Sequence, residues 1–170
     1  SAGEAPEVPI IEKRRGDGTT ADVDMWTSKP VQPTLKSHVN YVVADTTQWE
    51  QQAAGYIDRS KHVRCWVKNA GLGFAIPYLH NGQMHDFMAD FIIRLETHEP
   101  TYLVLETKGY DPLDDVKEAA ARRWIAAVNA TRKYGEWRFQ MARKMPDVAQ
   151  ILADEATASE RPASEALEVR

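Results

Sequence analysis

Phe87-Met88-Ala89-Asp90-Phe91-Ile92-Ile93-Arg94-Leu95 and, beyond the connection Glu96–Pro100, Tyr102-Leu103-Val104-Leu105-Glu106-Thr107-Lys108 decide how this chain is read. Both runs are rich in the branched and aromatic residues that favour strands. Side chains alternate along a strand. Ala89, Phe91, Ile93 and Leu95 therefore share one face of the first run, and Met88, Asp90, Ile92 and Arg94 the other. In the second run Leu103, Leu105 and Thr107 lie opposite Tyr102, Val104, Glu106 and Lys108. The short connection predicts an antiparallel hairpin. A loop over Glu96–Pro100 pairs Leu95 with Thr101 and hence Asp90 with Glu106, and directly opposed residues point to the same side. Lys108 is then one diagonal step away.

A carboxylate in the middle of an apolar strand is costly unless something balances it. Two carboxylates on residues roughly 5 Å apart repel unless a cation neutralises them. An oxygen-only pair with open positions suits Mg²⁺, which takes one or two carboxylates and keeps water or phosphate on its other positions. A lysine beside such a pair supplies positive charge for a developing phosphorane, or positions an attacking water.

Working outward, Asp45-Thr46-Thr47 offers helix N-cap chemistry, and Glu50 stands at capping-box distance from Thr47. Trp49, Ala53, Tyr56 and Ile57 form the apolar face of the helix that follows. Val63–Val67 reads as a strand, with Cys65 a small core residue within it. Phe74, Ile76 and Tyr78 alternate before the hairpin turn Asn81-Gly82. Asp114–Asn129 reads as a helix with Val116, Ala120, Trp124, Ala127 and Val128 on one side, and Trp137–Ala142 as a last strand. A helix between two strands can act as the crossover to a parallel neighbour. The expected fold is α/β, a mixed central sheet flanked by helices.

The flanks differ from this middle. Residues 1–35, with several prolines and little periodicity, read as an N-terminal arm; residues 146–170 read as an acidic C-terminal tail that begins as a short helix through Val148, Ile151 and Leu152. Of the 21 Lys+Arg and 25 Asp+Glu side chains, the arm holds 4 and 6, residues 36–145 hold 15 and 13, and the tail 2 and 6. The middle is thus net +2, which permits nucleic-acid binding without announcing it. No apolar run approaches the roughly 20 residues of a membrane helix, and Ser1-Ala2-Gly3-Glu4 does not begin a signal peptide. With one cysteine there is no internal disulfide, and a cytoplasmic location is expected.

Asp90, followed sixteen positions later by Glu106-Thr107-Lys108, resembles the PD-(D/E)XK nuclease signature. The closest likeness is to the nuclease domain at the C-terminal end of type III restriction-type helicase subunits. It is carried by Trp49-Glu50-Gln51-Gln52, Asp90-Phe91-Ile92-Ile93-Arg94-Leu95 and Leu103-Val104-Leu105-Glu106-Thr107-Lys108-Gly109, and it spans about residues 36–145. The resemblance implies a restriction-endonuclease-like α-β-β-β-α-β core and Mg²⁺-dependent hydrolysis of phosphodiesters in double-stranded DNA, with Mn²⁺ able to substitute. It implies that Asp90, Glu106 and the Thr107 carbonyl hold the metal, that Lys108 orients or activates water, and that Glu50 reaches in from the first helix. It also implies an upstream helicase/ATPase segment or a modification subunit as partner. Ala89 stands where the signature has Pro, and no Gln-x-x-x-Tyr occurs in the second helix. A non-catalytic DNA- or protein-binding module on the same fold is the alternative.

Lys117 and Arg122 on the crossover helix read as a solvated face, with Glu118–Arg122 an i,i+4 pair, or else as phosphate contacts. His80, His85 and His98 lack the further ligands in register that a zinc site needs. No Gly-x-x-x-x-Gly-Lys-Ser/Thr is present, so this chain cannot drive an ATP motor through a P-loop.

Overall fold

Phe91–Leu95 and Thr101–Thr107 form the two central strands of a four-stranded sheet in the computed structural model, which describes residues 20–22, 28, 31–39, 41–43, 48–107 and 111–160. In chain order the elements are β1 (Val31–Pro33), β2 (Tyr41–Val43), α1 (Gln48–Arg59), β3 (Val63–Lys68), β4 (Ile76–His80), β5 (Gln83–Phe87), β6 (Phe91–Leu95), β7 (Thr101–Thr107), α2 (Asp114–Thr131), β8 (Glu136–Ala142) and α3 (Met145–Glu160). The main sheet runs β3-β6-β7-β8. Its first three strands are antiparallel, and β8 is parallel to β7 because α2 carries the chain back. The protein is therefore a mixed α/β fold. No helix among the described residues is long and apolar enough to cross a membrane.

The β6–β7 ladder pairs Phe91 with Leu105, Ile92 with Val104, Ile93 with Leu103 and Arg94 with Tyr102, the register that the Glu96–Pro100 loop requires. One face of the sheet packs Phe91, Ile93, Leu95, Leu103 and Leu105 against Ala53, Ala54 and Ile57 of α1 and Val148 and Leu152 of α3. The other packs Val104 and Phe139 against Ala120 and Ala121 of α2 and against Ile76, Tyr78 and Phe87 of the β4–β5 hairpin. Each of the larger fully buried side chains contributes about 1.5–3 kcal/mol by leaving water.

Four readings change. The run from Phe87 to Leu95 is not one strand: β5 ends at Phe87 and β6 begins at Phe91, with Met88–Asp90 crossing from the hairpin to the main sheet. Asn69 makes the break affordable by taking its carbonyls. Its side-chain amide donates to the Ala89 carbonyl at 3.0 Å and its backbone N–H to the Asp90 carbonyl at 2.8 Å. The helix expected through Val148, Ile151 and Leu152 is α3, but it is not short: it runs on to Glu160 and puts Val148, Leu152 and Ala156 into the core. Part of the arm is likewise built into the fold, since β1 pairs with β2. Finally, α1 buries Ala53, Ala54 and Ile57 and leaves Tyr56 about half exposed, so the helix is rotated from its expected face. The capping residues Asp45–Thr47 lie outside the described residues. The Asn81-Gly82 turn is as read, with both residues at positive φ, 50° and 74°, as a two-residue hairpin turn demands.

Asp58, near the end of α1, ties three elements together. Its carboxylate accepts the backbone N–H groups of Leu35 (2.9 Å) and Lys36 (2.9 Å) and the Trp66 indole N–H (2.9 Å). Burial alone would raise its pKa. The hydrogen bonds from Trp66, Lys36 and Leu35, and the charge of Lys36, outweigh burial and hold it below the ordinary value of 3.8. A depressed carboxylate stabilises the fold fully above its unfolded pKa and loses that contribution as pH falls through the folded one. Asp58→Ala should therefore cost about 3 kcal/mol at pH 7, because three donors lose their acceptor. The difference from the parent should shrink as pH drops below the unfolded value of 3.8. Urea unfolding at several pH values checks this; a constant difference down to pH 3 would contradict it.

Candidate active site

β6 and β7 bring the expected residues to one end of the sheet. Extending the ladder one step beyond Phe91–Leu105 sets Asp90 opposite Glu106. Asp90 lies in the bend just before β6, and its Oδ2 accepts two hydrogen bonds from Thr107, one from the backbone N–H and one from the hydroxyl, each 2.8 Å. Glu106 is 2% exposed and Thr107 4% exposed. By alternation Glu106 shares the α2 face with Val104, and Thr107 shares the α1 face with Leu103 and Leu105. Asp90 is thus fastened to the residue next to Glu106. Lys108 lies outside the described residues.

Glu50 comes from α1. It belongs to the spacing 50, 53, 54, 57, the i, i+3, i+4, i+7 stripe that α1 turns toward the sheet. Its Oε2 accepts a hydrogen bond of 2.6 Å from Lys68 Nζ, and the two side chains are 24% and 12% exposed. Lys68 ends β3 as the register partner of Phe91, the residue after Asp90. Sequence reasoning passed over Lys68 and Asn69. The one available signal was an apolar strand, Val63–Val67, that runs straight into Lys-Asn.

At the same end, α2 begins with Asp114 and Asp115, acids well placed at a helix N-terminus. Asp114, 2% exposed, binds the Arg143 guanidinium, and that hydrogen bond pushes the Arg143 pKa up. Lys117 binds Asp111 at 2.7 Å and is only 12% exposed. Arg122 pairs with Glu118 at 2.6 Å, the i,i+4 pair on a solvated face. Both basic residues singled out on this helix are therefore engaged by carboxylates of the same chain.

The oxygen donors fit a hard divalent cation. Asp90, Glu106 and the adjacent Thr107 carbonyl offer two carboxylates and a main-chain oxygen, a donor set that Mg²⁺ accepts while keeping waters. Among the described residues no three His, Cys, Asp or Glu side chains form a group able to hold a metal, and Glu50 is engaged by Lys68. His80 and His85 flank the hairpin turn with ring centroids 6.3 Å apart, and His98 is solvent-exposed beside Glu99. No family model matches the chain, and neither the curated proteins nor the solved structures contain a match.

Thr107→Val keeps the shape of the side chain and removes its hydroxyl donor to Asp90. It should cost about 1 kcal/mol in urea unfolding, whereas Thr107→Ser should stay close to the parent. Equal stability of Thr107→Val and the parent would mean that the hydroxyl does not hold Asp90 in solution.

Proposed function

We propose that this chain is a Mg²⁺-dependent DNA endonuclease domain of PD-(D/E)XK type, working within a type III restriction-type enzyme. The observation that carries the reading is the β6–β7 register, which sets Asp90 opposite Glu106 while Thr107 anchors the Asp90 carboxylate. Further support comes from the element order, in which α1, β3, β6, β7, α2 and β8 run helix, three sheet strands, helix, strand, with the β4–β5 hairpin inserted.

In this reading Asp90, Glu106 and the Thr107 carbonyl would hold Mg²⁺ or Mn²⁺. The ion would supply Lewis-acid polarisation of a phosphoryl oxygen. Thr107 fixes the Asp90 carboxylate through two donors, so Asp90 presents a set orientation at no further entropic cost when substrate arrives. Lys108 orients the attacking water and stabilises negative charge that develops on the phosphate. Burial of Glu106 keeps competing water away from that carboxylate. Double-stranded DNA is the substrate, and a helicase/ATPase segment or modification subunit is the partner that delivers it.

Asp90→Ala or Glu106→Ala should abolish Mg²⁺-dependent plasmid cleavage, assayed with the activating segment present, and should weaken Mg²⁺ binding in calorimetry. Lys108→Ala should abolish turnover yet leave Mg²⁺ affinity unchanged or slightly raised, because it removes a nearby positive charge. Combining Asp90→Ala with Lys108→Ala should be no worse than either alone, since residues that act as a unit are not additive. Parent-rate cutting by Lys108→Ala, or full Mg²⁺ affinity in Asp90→Ala, would overturn these roles in favour of a binding module on the same fold.

A further inference from the structure

We infer that Asn69 is a positioning residue for Asp90, holding the main chain of that residue while Thr107 holds its carboxylate; the inference rests on the endonuclease reading. Extending the β3–β6 ladder one step beyond Lys68–Phe91 sets Asn69 opposite Asp90, just as the β6–β7 ladder sets Glu106 opposite it on the other side. The Asn69 backbone N–H donates to the Asp90 carbonyl at 2.8 Å, and its side-chain amide donates to the Ala89 carbonyl at 3.0 Å. The same amide donates to the Phe74 carbonyl at 2.7 Å, and its Oδ1 accepts the Phe74 N–H at 3.2 Å. The side chain thus uses both of its donors and its acceptor inside the chain.

Closing the 69–74 loop does not account for this set. An asparagine closes a turn by bonding to backbone nearby, and the two bonds to Phe74 do that. The bonds to Ala89 and Asp90 reach a different segment, the Met88–Asp90 crossing, which has left the β4–β5 hairpin and has not yet joined the main ladder. One residue therefore takes two consecutive carbonyls of that crossing. Asp90 is gripped from both neighbouring strands: its main chain from the end of β3, and its Oδ2 from Thr107 at the end of β7 by two donors at 2.8 Å each. The grips act on different atoms of one residue. Losing either lets the carboxylate shift while β6 and β7 stay paired through the buried Phe91–Leu105 and Ile93–Leu103 pairs. Groups that orient a ligating carboxylate from behind set its precision without touching substrate.

The test compares the full chain with Asn69→Ala, Asn69→Ser, Asp90→Asn and the Asp90→Asn/Asn69→Ala double variant. Asn69→Ala removes the side-chain bonds and keeps the backbone one. In the metal-free protein its Thr107 amide, the donor to Asp90, should exchange hydrogen roughly fivefold faster than in the parent, while the other amides of β7 keep their protection. Calorimetry should show Mg²⁺ bound about tenfold more weakly. In plasmid cleavage with the activating segment present, kcat should fall about tenfold to hundredfold and KM for DNA should stay at the parent value, because Asn69 acts through Asp90. The double variant should bind Mg²⁺ no more weakly than Asp90→Asn. Asn69→Ser can still close the turn to Phe74 but has one donor in place of two. It should move the same readouts in the same direction, and it carries the test should Asn69→Ala fail to fold. Four results would each overturn the role of Asn69 alone, the parent still binding metal and cutting: an unchanged Thr107 amide, a faster amide with parent Mg²⁺ affinity and kcat, loosening spread over all of β7, or an effect that persists in Asp90→Asn. A parent that binds no divalent cation and cuts no DNA would remove the endonuclease reading and this role with it.

Discussion

The pairing of β6 with β7 is the constraint from which the rest follows. Leu103, Val104 and Leu105 are fully buried, so β7 is filled on both faces. Its partner places Phe91, Ile93 and Leu95, all fully buried, toward α1 and α3. A slip of one residue would turn each of these side chains to the opposite face. The register is therefore held by bulk on two sides, and whatever lies at the end of the ladder inherits its precision. Asp90, Glu106 and Thr107 lie at that end. A carboxylate beside such a strand sits in a place that packing has defined within the tolerance of a core, which is what a site must have if it is to hold an ion without rearranging.

How much of this was legible depends on how far apart in sequence the interacting residues stand. The β6–β7 register could be read because the hairpin is local: loop length and face alternation fix it, and Leu95 and Thr101 bound the loop on both sides. The Asn81-Gly82 turn was legible for the same reason. The break at Met88–Asp90 was not, because Phe87–Leu95 alternates without interruption and what stops the strand is Asn69, about twenty residues earlier. The Lys68–Glu50 pair needs both the rotation of α1 and the β3–β6 register, neither of which any short window encodes. α1 was misjudged by one helical step because Trp49 and Tyr56 outweigh alanines on any hydrophobicity count. The small residues Ala53 and Ala54 are what allow the helix to approach the sheet closely.

Asp58 shows the same limit from another side. It reads as an ordinary acid near a helix end, where the dipole disfavours it. It is tolerated because the segment around Leu35 and Lys36 brings backbone N–H groups to it, and Lys36 Nζ caps the carbonyls of Ser60 and Val63 at 2.6 and 2.9 Å. Leu35, the last residue of the stretch judged to be an arm, thus contributes with Lys36 to the structure's polar framework. The α3 helix does likewise for the apolar part, since without Val148 and Leu152 the α1 face of the sheet would be covered by one helix instead of two.

Along α2 the packing differs from one end of the sheet to the other. Near the starts of β7 and β8 the packing is aromatic. Tyr102 stacks on Trp137 with ring centroids 4.9 Å apart, and Trp124 meets Trp137 and Phe74 edge-on at 5.3 and 5.2 Å. Ion pairs occur at both ends: Arg138 with Glu136 and Glu155 near the start of β8, and at the opposite end Lys117 with Asp111, Arg143 with Asp114, and Lys68 with Glu50. Aromatic packing gives cohesion with little dependence on salt or pH, while ion pairs that are largely shielded give little net stability. Asp90 and Glu106 lie at the end opposite the aromatic cluster, where Thr107 holds the Asp90 carboxylate. There Lys117, Arg143 and Lys68 offset Asp111, Asp114 and Glu50, so charges that are costly to shield singly are neutralised within the chain.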